Sequence, residues 1–77
     1  MHIKVYFFGS LVDITAKSEL VFNGFDTTDS LHDHLKKEYP RLSATKYFMA
    51  VNQKMIQTNC VLIEGDVVAL MPPFSGG

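Results

Sequence analysis

The chain has 77 residues, 47% of them hydrophobic, with seven Lys and Arg against eight Asp and Glu and a formal charge of −1. Such a length makes one small domain, and the apolar content excludes a disordered chain. A pI near 6.2 leaves no basic footprint, which excludes the usual nucleic-acid partner.

The lone cysteine, Cys60, allows no internal disulfide, and nothing points to an oxidising compartment. The longest uncharged run, residues 67–77, is interrupted by two prolines and far shorter than a membrane span. Residues 5–12 lack a basic lead and are broken by Gly9-Ser10, unlike a secretory core. A soluble cytoplasmic protein with no membrane partner is expected. No repeat, low-complexity tract or interdomain linker occurs.

In chain order, residues 2–8 are rich in β-branched and aromatic side chains and read as a first strand. Alternation sets Ile3, Val5 and Phe7 on one face and Lys4, Tyr6 and Phe8 on the other. Gly9-Ser10 ends the strand, and residues 11–15 suit a short helical turn. A second strand over 18–23 shares Leu20 and Phe22 on one face and stops at Asn23-Gly24.

The main helix follows. Thr27 or Thr28 caps it, Asp29 sits in the first turn where negative charge is favoured, and Leu31, Leu35 and Tyr39 form an apolar stripe. Asp33 and Lys37 make an i,i+4 pair on the wet side, and Pro40 stops the helix at Tyr39. After a polar link, residues 47–53 read as a third strand with Met49 and Val51 on one face. Asn52-Gln53-Lys54 bends the chain into a short fourth strand at Met55-Ile56. Glu64-Gly65-Asp66 is a tight turn that launches the last strand, 67–71, with Val68 and Leu70 inside and Ala69 and Met71 outside.

One main helix among about five strands gives a two-layer α+β domain. A single helix covers one face of a sheet, so Tyr6, Phe8 and Met71 are expected either to meet a partner or to be covered by the 11–15 turn or a loop.

The end of the chain, Pro72-Pro73-Phe74-Ser75-Gly76-Gly77, is the most distinctive stretch. Two prolines cannot continue strand pairing and hold the chain extended, away from the body. Gly-Gly fits where a Cβ would collide. The expectation is an arm carrying a carboxylate into a narrow cavity; the alternative is a linker remnant or a frayed end.

The order of elements resembles the ubiquitin-like β-grasp, here a mixed sheet of about five strands with one main helix on one face. More specifically, Gly65-Asp66-Val67-Val68 leading to Pro72-Pro73-Phe74-Ser75-Gly76-Gly77, with Val51-Asn52-Gln53 and Phe7-Phe8, resembles the small-subunit family of molybdopterin synthase, which are sulfur carriers. The likeness runs over essentially the whole chain. Val67 departs from it, since relatives often carry an acidic residue after Gly-Asp.

The resemblance implies a β-grasp domain over residues 1–71 and an extended carrier tail over 72–77. It implies that a ubiquitin-activating-type adenylyltransferase uses ATP to adenylate the Gly77 carboxylate. Sulfur then replaces the adenylate, giving a thiocarboxylate. The large synthase subunit, in a heterotetramer, receives the tail, and sulfur passes to cyclic pyranopterin monophosphate in molybdenum cofactor biosynthesis. Gly77 is then the reacting residue and Gly76 gives passage. Phe74 docks at the tunnel mouth, and Phe8, Met55 and Met71 form the apolar patch against the large subunit. The chain itself binds no cofactor and has little activity alone.

Other constellations carry less. His32 and His34, two apart on a helix, point to nearly opposite sides, and no Cys or acidic cluster has zinc spacing, so no metal site is expected. Cys60 reads as a small buried thiol. No G-x-x-x-x-G-K phosphate loop exists. The rival readings are a carrier for thiamine or tRNA thiolation, a ubiquitin-like modifier joined to lysines through Gly77, and a non-covalent module using the Tyr6/Phe8/Met71 face.

Overall fold

The computed structural model describes residues 2–73. The alternation at the N-terminus becomes strand β1 (His2–Phe7), with Ile3, Val5 and Phe7 buried and Lys4 and Tyr6 half-buried on the other side. Phe8 lies just past the strand, although its N–H still donates to the Leu70 carbonyl at 3.0 Å. Helix α1 (Leu11–Thr15) follows and closes on Ala16 in a left-handed conformation. Strand β2 (Glu19–Asn23) begins one residue later than the sequence suggests.

Helix α2 (Thr28–Glu38) is bounded as its chemistry requires. Thr27 is the N-cap and forms a capping box with Ser30: each side-chain oxygen accepts the other residue's backbone N–H, at 3.2 and 3.3 Å. At the other end Tyr39 leaves helical geometry ahead of Pro40. Leu31 and Leu35 are fully buried, and Tyr39 packs against the same core. The i,i+4 polar contact along this helix brings His34 Nε2 to 3.8 Å from the Glu38 carboxylate, in place of the expected Asp33–Lys37 pair.

The link after α2 is not merely polar. Pro40–Ala44 form a 3-10 helix that buries Leu42, and that one side chain contributes about 1.5–3 kcal/mol. Strand β3 (Phe48–Val51) is shorter than the expected 47–53. Asn52 and Gln53 both take positive φ, 51° and 70°, forming a two-residue hairpin turn, so Lys54 belongs to β4 (Lys54–Ile56) and not to the bend. Strand β5 (Val67–Met71) has the expected bounds.

The sheet order is β2-β1-β5-β3-β4. Strands β1 and β5 pair in parallel, and the other three pairings are antiparallel. This is the mixed β-grasp sheet. Ile3, Val5, Phe7, Val68, Leu70 and Met49 meet Leu31 and Leu35 of α2 in one core. Leu11 joins that core, so α1 packs on the same side as α2, and among the described residues nothing covers the opposite sheet face.

A polar clamp secures the base of β5. The buried Asp66 carboxylate accepts from Asn52 Nδ2 and from the Ile63 N–H, each at 2.9 Å, while the Val67 N–H donates to Asn52 Oδ1 at 3.0 Å. Buried carboxylates persist where hydrogen bonds replace water, which explains why Asn52 and Gly65-Asp66 belong together in this sequence.

Candidate functional site

The uncovered sheet face is apolar and organised by strand register. Phe48 of β3 stands directly across from Met71 of β5, and Phe8 flanks Met71 on the other side because Phe7 pairs with Leu70. A second row runs Tyr6, Ala69, Ala50, Met55 across β1, β5, β3 and β4. Two alanines in the middle of that row lower the centre of the face between larger side chains. The result is a shallow apolar dish.

Exposure follows from this arrangement. Phe8 is 51% exposed, Met55 55% and Phe48 44%, whereas Met71 is half-buried between its two aromatic neighbours. The expectation of a freely exposed Met71 is therefore corrected: Phe8 and Phe48 stand on either side of it. Tyr6 and Phe8 lie 6.4 Å apart between ring centroids. Lys4 closes the β2 side as a polar rim, 3.4 Å from Glu19 and 5.9 Å above the Tyr6 ring. Glu19 raises the Lys4 pKa, through a hydrogen bond and then through its charge.

Of the site residues expected from sequence, Phe8, Met55 and Met71 are brought onto this one face. Phe48 was missed. Its signal was present, since alternation with Met49 and Val51 puts it on the outer face, but its place beside Met71 depends on pairing between distant strands. Phe74, Gly76 and Gly77 lie outside the described residues. Strand β5 ends at Met71 in the Phe8–Met71–Phe48 row, and Pro72 packs against Gly9, so this proline does not simply point away from the body.

Around the β4 edge lies a groove of about 660 Å³ between α2 and the β3–β4 hairpin. His32 and Tyr47 meet there, His32 Nε2 sharing a hydrogen bond with the Tyr47 hydroxyl and the rings standing edge-to-face at 5.2 Å. Burial, reinforced by Lys36, holds His32 below its ordinary pKa against the opposite pull of Asp33 and Asp29. Burial pushes the Tyr47 phenol up to about 12. At neutral pH the pair is a neutral imidazole and a neutral phenol.

His34 sits on another side of α2, against Phe22 and Phe25, as helical geometry demands. Among the described residues no three His, Cys, Asp or Glu side chains come together as a metal site. Cys60 is half-buried, with its Sγ–H directed to the Thr58 carbonyl at 3.3 Å, and is not the core thiol that its size suggests. No described helix is long and apolar enough to cross a membrane.

A mixed five-stranded sheet in the order β2-β1-β5-β3-β4 with one main helix on one face, and an apolar opposite face among the described residues, defines a ubiquitin-like β-grasp protein. The model of the ThiS family matches residues 5–77, and the chain belongs to that family. It is 38% identical to the molybdopterin synthase sulfur carrier subunit of Mycobacterium tuberculosis, over 97% of this chain and 96% of the relative.

Among solved structures, it is similar to a chain of the complex of subunits 1 and 2 of molybdopterin-converting factor from Helicobacter pylori 26695. That match has a TM-score of 0.76, 28% identity and full coverage of both chains. SAMP1 from Haloferax volcanii has the same fold, with a TM-score of 0.82 at 20% identity and full coverage of both chains.

Proposed function

We propose that this chain is the sulfur-carrier subunit of a molybdopterin synthase and docks on the large subunit through its outer sheet face. The observation that supports this most directly is the Phe8–Met71–Phe48 row at the end of the sheet from which the chain departs. A partner seated there lies beside Met71, where β5 ends. Membership of the family, and a relative solved as a complex of subunits 1 and 2, agree with this reading.

In the proposed reaction an adenylyltransferase activates the Gly77 carboxylate with ATP, releasing pyrophosphate. A sulfur nucleophile then displaces AMP to leave a C-terminal thiocarboxylate. Gly77 carries the sulfur to a cyclic pyranopterin monophosphate held by the large subunit. An unhindered glycine carbonyl is open to attack, and docking turns a bimolecular transfer into a positioned one. Gly76 keeps the final segment narrow, and Phe74 seats at the channel mouth.

The test is reconstitution with the adenylating enzyme, ATP, a sulfur source and the large subunit, followed by intact mass and product formation. The expected result is a mass gain equal to exchange of one oxygen for sulfur, lost when Gly77 is deleted. An isopeptide ladder on other proteins, without thiocarboxylate, would instead mark a protein modifier. Gly76→Ala separates the tail's two roles. A bare-backbone channel predicts near-normal affinity but strongly reduced single-turnover transfer, because overpacking a rigid site costs about 1–3 kcal/mol and displaces the reacting carbonyl.

A further inference from the structure

The groove between α2 and the β3–β4 hairpin has no part in the sulfur chemistry, yet three of its features select an occupant. The first is continuity. Phe48 and Met55 belong both to the outer face and to the groove wall, so a partner covering the face reaches the groove without crossing a polar gap.

The second is an open backbone edge. The Asn52 N–H donates to the Val67 carbonyl, so in β3 the residues in phase with Asn52 bond to β5, and Met49 and Val51 turn towards β4. Their partners Ile56 and Lys54 turn inward in reply, which directs the N–H and C=O of Met55 outward from the edge of the sheet.

The third is charge. Among the described residues Asp29 is the one carboxylate lining the groove, whose wall also includes Phe48, Met55 and Ile56. The start of α2 is closed to anions. The Thr28 N–H donates to the Cys60 carbonyl, the Asp29 N–H to Asn59 Oδ1 and the Ser30 N–H to Thr27 Oγ1. A cation suits this wall and an anion does not.

We propose that the partner covering the outer face also lays an extended segment along β4, pairing its backbone with Met55 and placing an apolar side chain followed by a lysine or arginine in the groove. This rests on the reading that the outer face docks the large subunit. Main-chain pairing supplies affinity and the groove supplies sequence preference, as in other strand additions.

The experiment titrates the large subunit into the full chain and follows amide exchange. Met55 should exchange at least about tenfold more slowly in the complex, because an outward edge amide gains a partner. Thr58→Trp, which fills the groove from the loop, and Asp29→Lys, which reverses its charge, should each weaken binding by roughly five- to twentyfold. The Asp29→Lys effect should shrink at high salt.

Met71→Asp serves as the control for the face itself. If Met71→Asp weakens binding while Met55 exchange or the affinity of Thr58→Trp is unchanged, the groove proposal is overturned and the face reading stands. If Met71→Asp also binds like the parent, the face reading fails and the groove falls with it.

Discussion

A Cβ added to Gly9 would lie 2.9 Å from Cγ of Pro72, and Gly9 itself holds a left-handed φ of +57°. The turn after β1 and the end of β5 are thus packed backbone against ring at the point where the chain leaves the sheet. Replacing Gly9 with Val should cost about 1–3 kcal/mol, since a β-branched residue is strained at positive φ and meets the proline. Gly9→Ala should cost less, because it meets the same proline ring but lacks the β-branch that adds strain at positive φ. Denaturant midpoints and Pro72 carbon shifts would report both; an unmoved Pro72 in the Val variant would refute the contact.

The row containing Phe48 predicts a separation of stability from binding. Phe48→Asp places a charge at a position 44% exposed in the free chain, so its melting temperature should change little. In the proposed complex the same charge is desolvated and should weaken affinity by roughly 2–4 kcal/mol. Met71→Asp should hurt the monomer more than Phe48→Asp, because Met71 is already half-buried between two aromatic rings. Equal affinities for parent and Phe48→Asp would remove Phe48 from the interface.

Asn52 is predicted to act through the clamp on Asp66. Asn52→Ala removes a donor from a buried carboxylate and an acceptor from the Val67 N–H, which should destabilise by about 1–3 kcal/mol. Asn52→Asp keeps the acceptor but sets two carboxylates together, so its loss should be larger at neutral pH and partly relieved in acid. Urea unfolding at two pH values distinguishes these outcomes. A pH-independent Asn52→Asp deficit would count against the clamp.

His32 predicts a pH dependence of the fold. Its pKa in the folded chain lies below the ordinary 6.5, chiefly through burial, so between those two values the unfolded chain binds more protons. Stability from this group is fully present above pH 6.5 and declines as pH falls from there towards the folded pKa. In urea titrations from pH 7.5 to 5.5, His32→Gln should flatten that part of the profile. Identical slopes for the two proteins would show that the imidazole is not desolvated in the groove.

Much of this molecule is legible residue by residue. Alternation in β1 assigns Ile3, Val5 and Phe7 to the core, Thr27 and Pro40 bound α2, and Asn23-Gly24 and Glu64-Gly65-Asp66 mark turns. Each depends on a side chain acting on its own stretch of backbone, through strand pleat, capping or fixed φ. The family likeness is carried by the same local strings.

Tertiary structure alone decided the rest. Leu42 and Leu62 enter the core from segments without periodicity. Phe48 gains its meaning from standing opposite Met71, 23 residues later in the sequence. Gly9 meets Pro72 because β1 and β5 run parallel side by side, and His32 meets Tyr47 only once α2 lies over β3. Cross-strand register and helix placement are set by pairing and burial summed over the whole sheet, and a local pattern fixes which way a side chain faces but not which neighbour it meets.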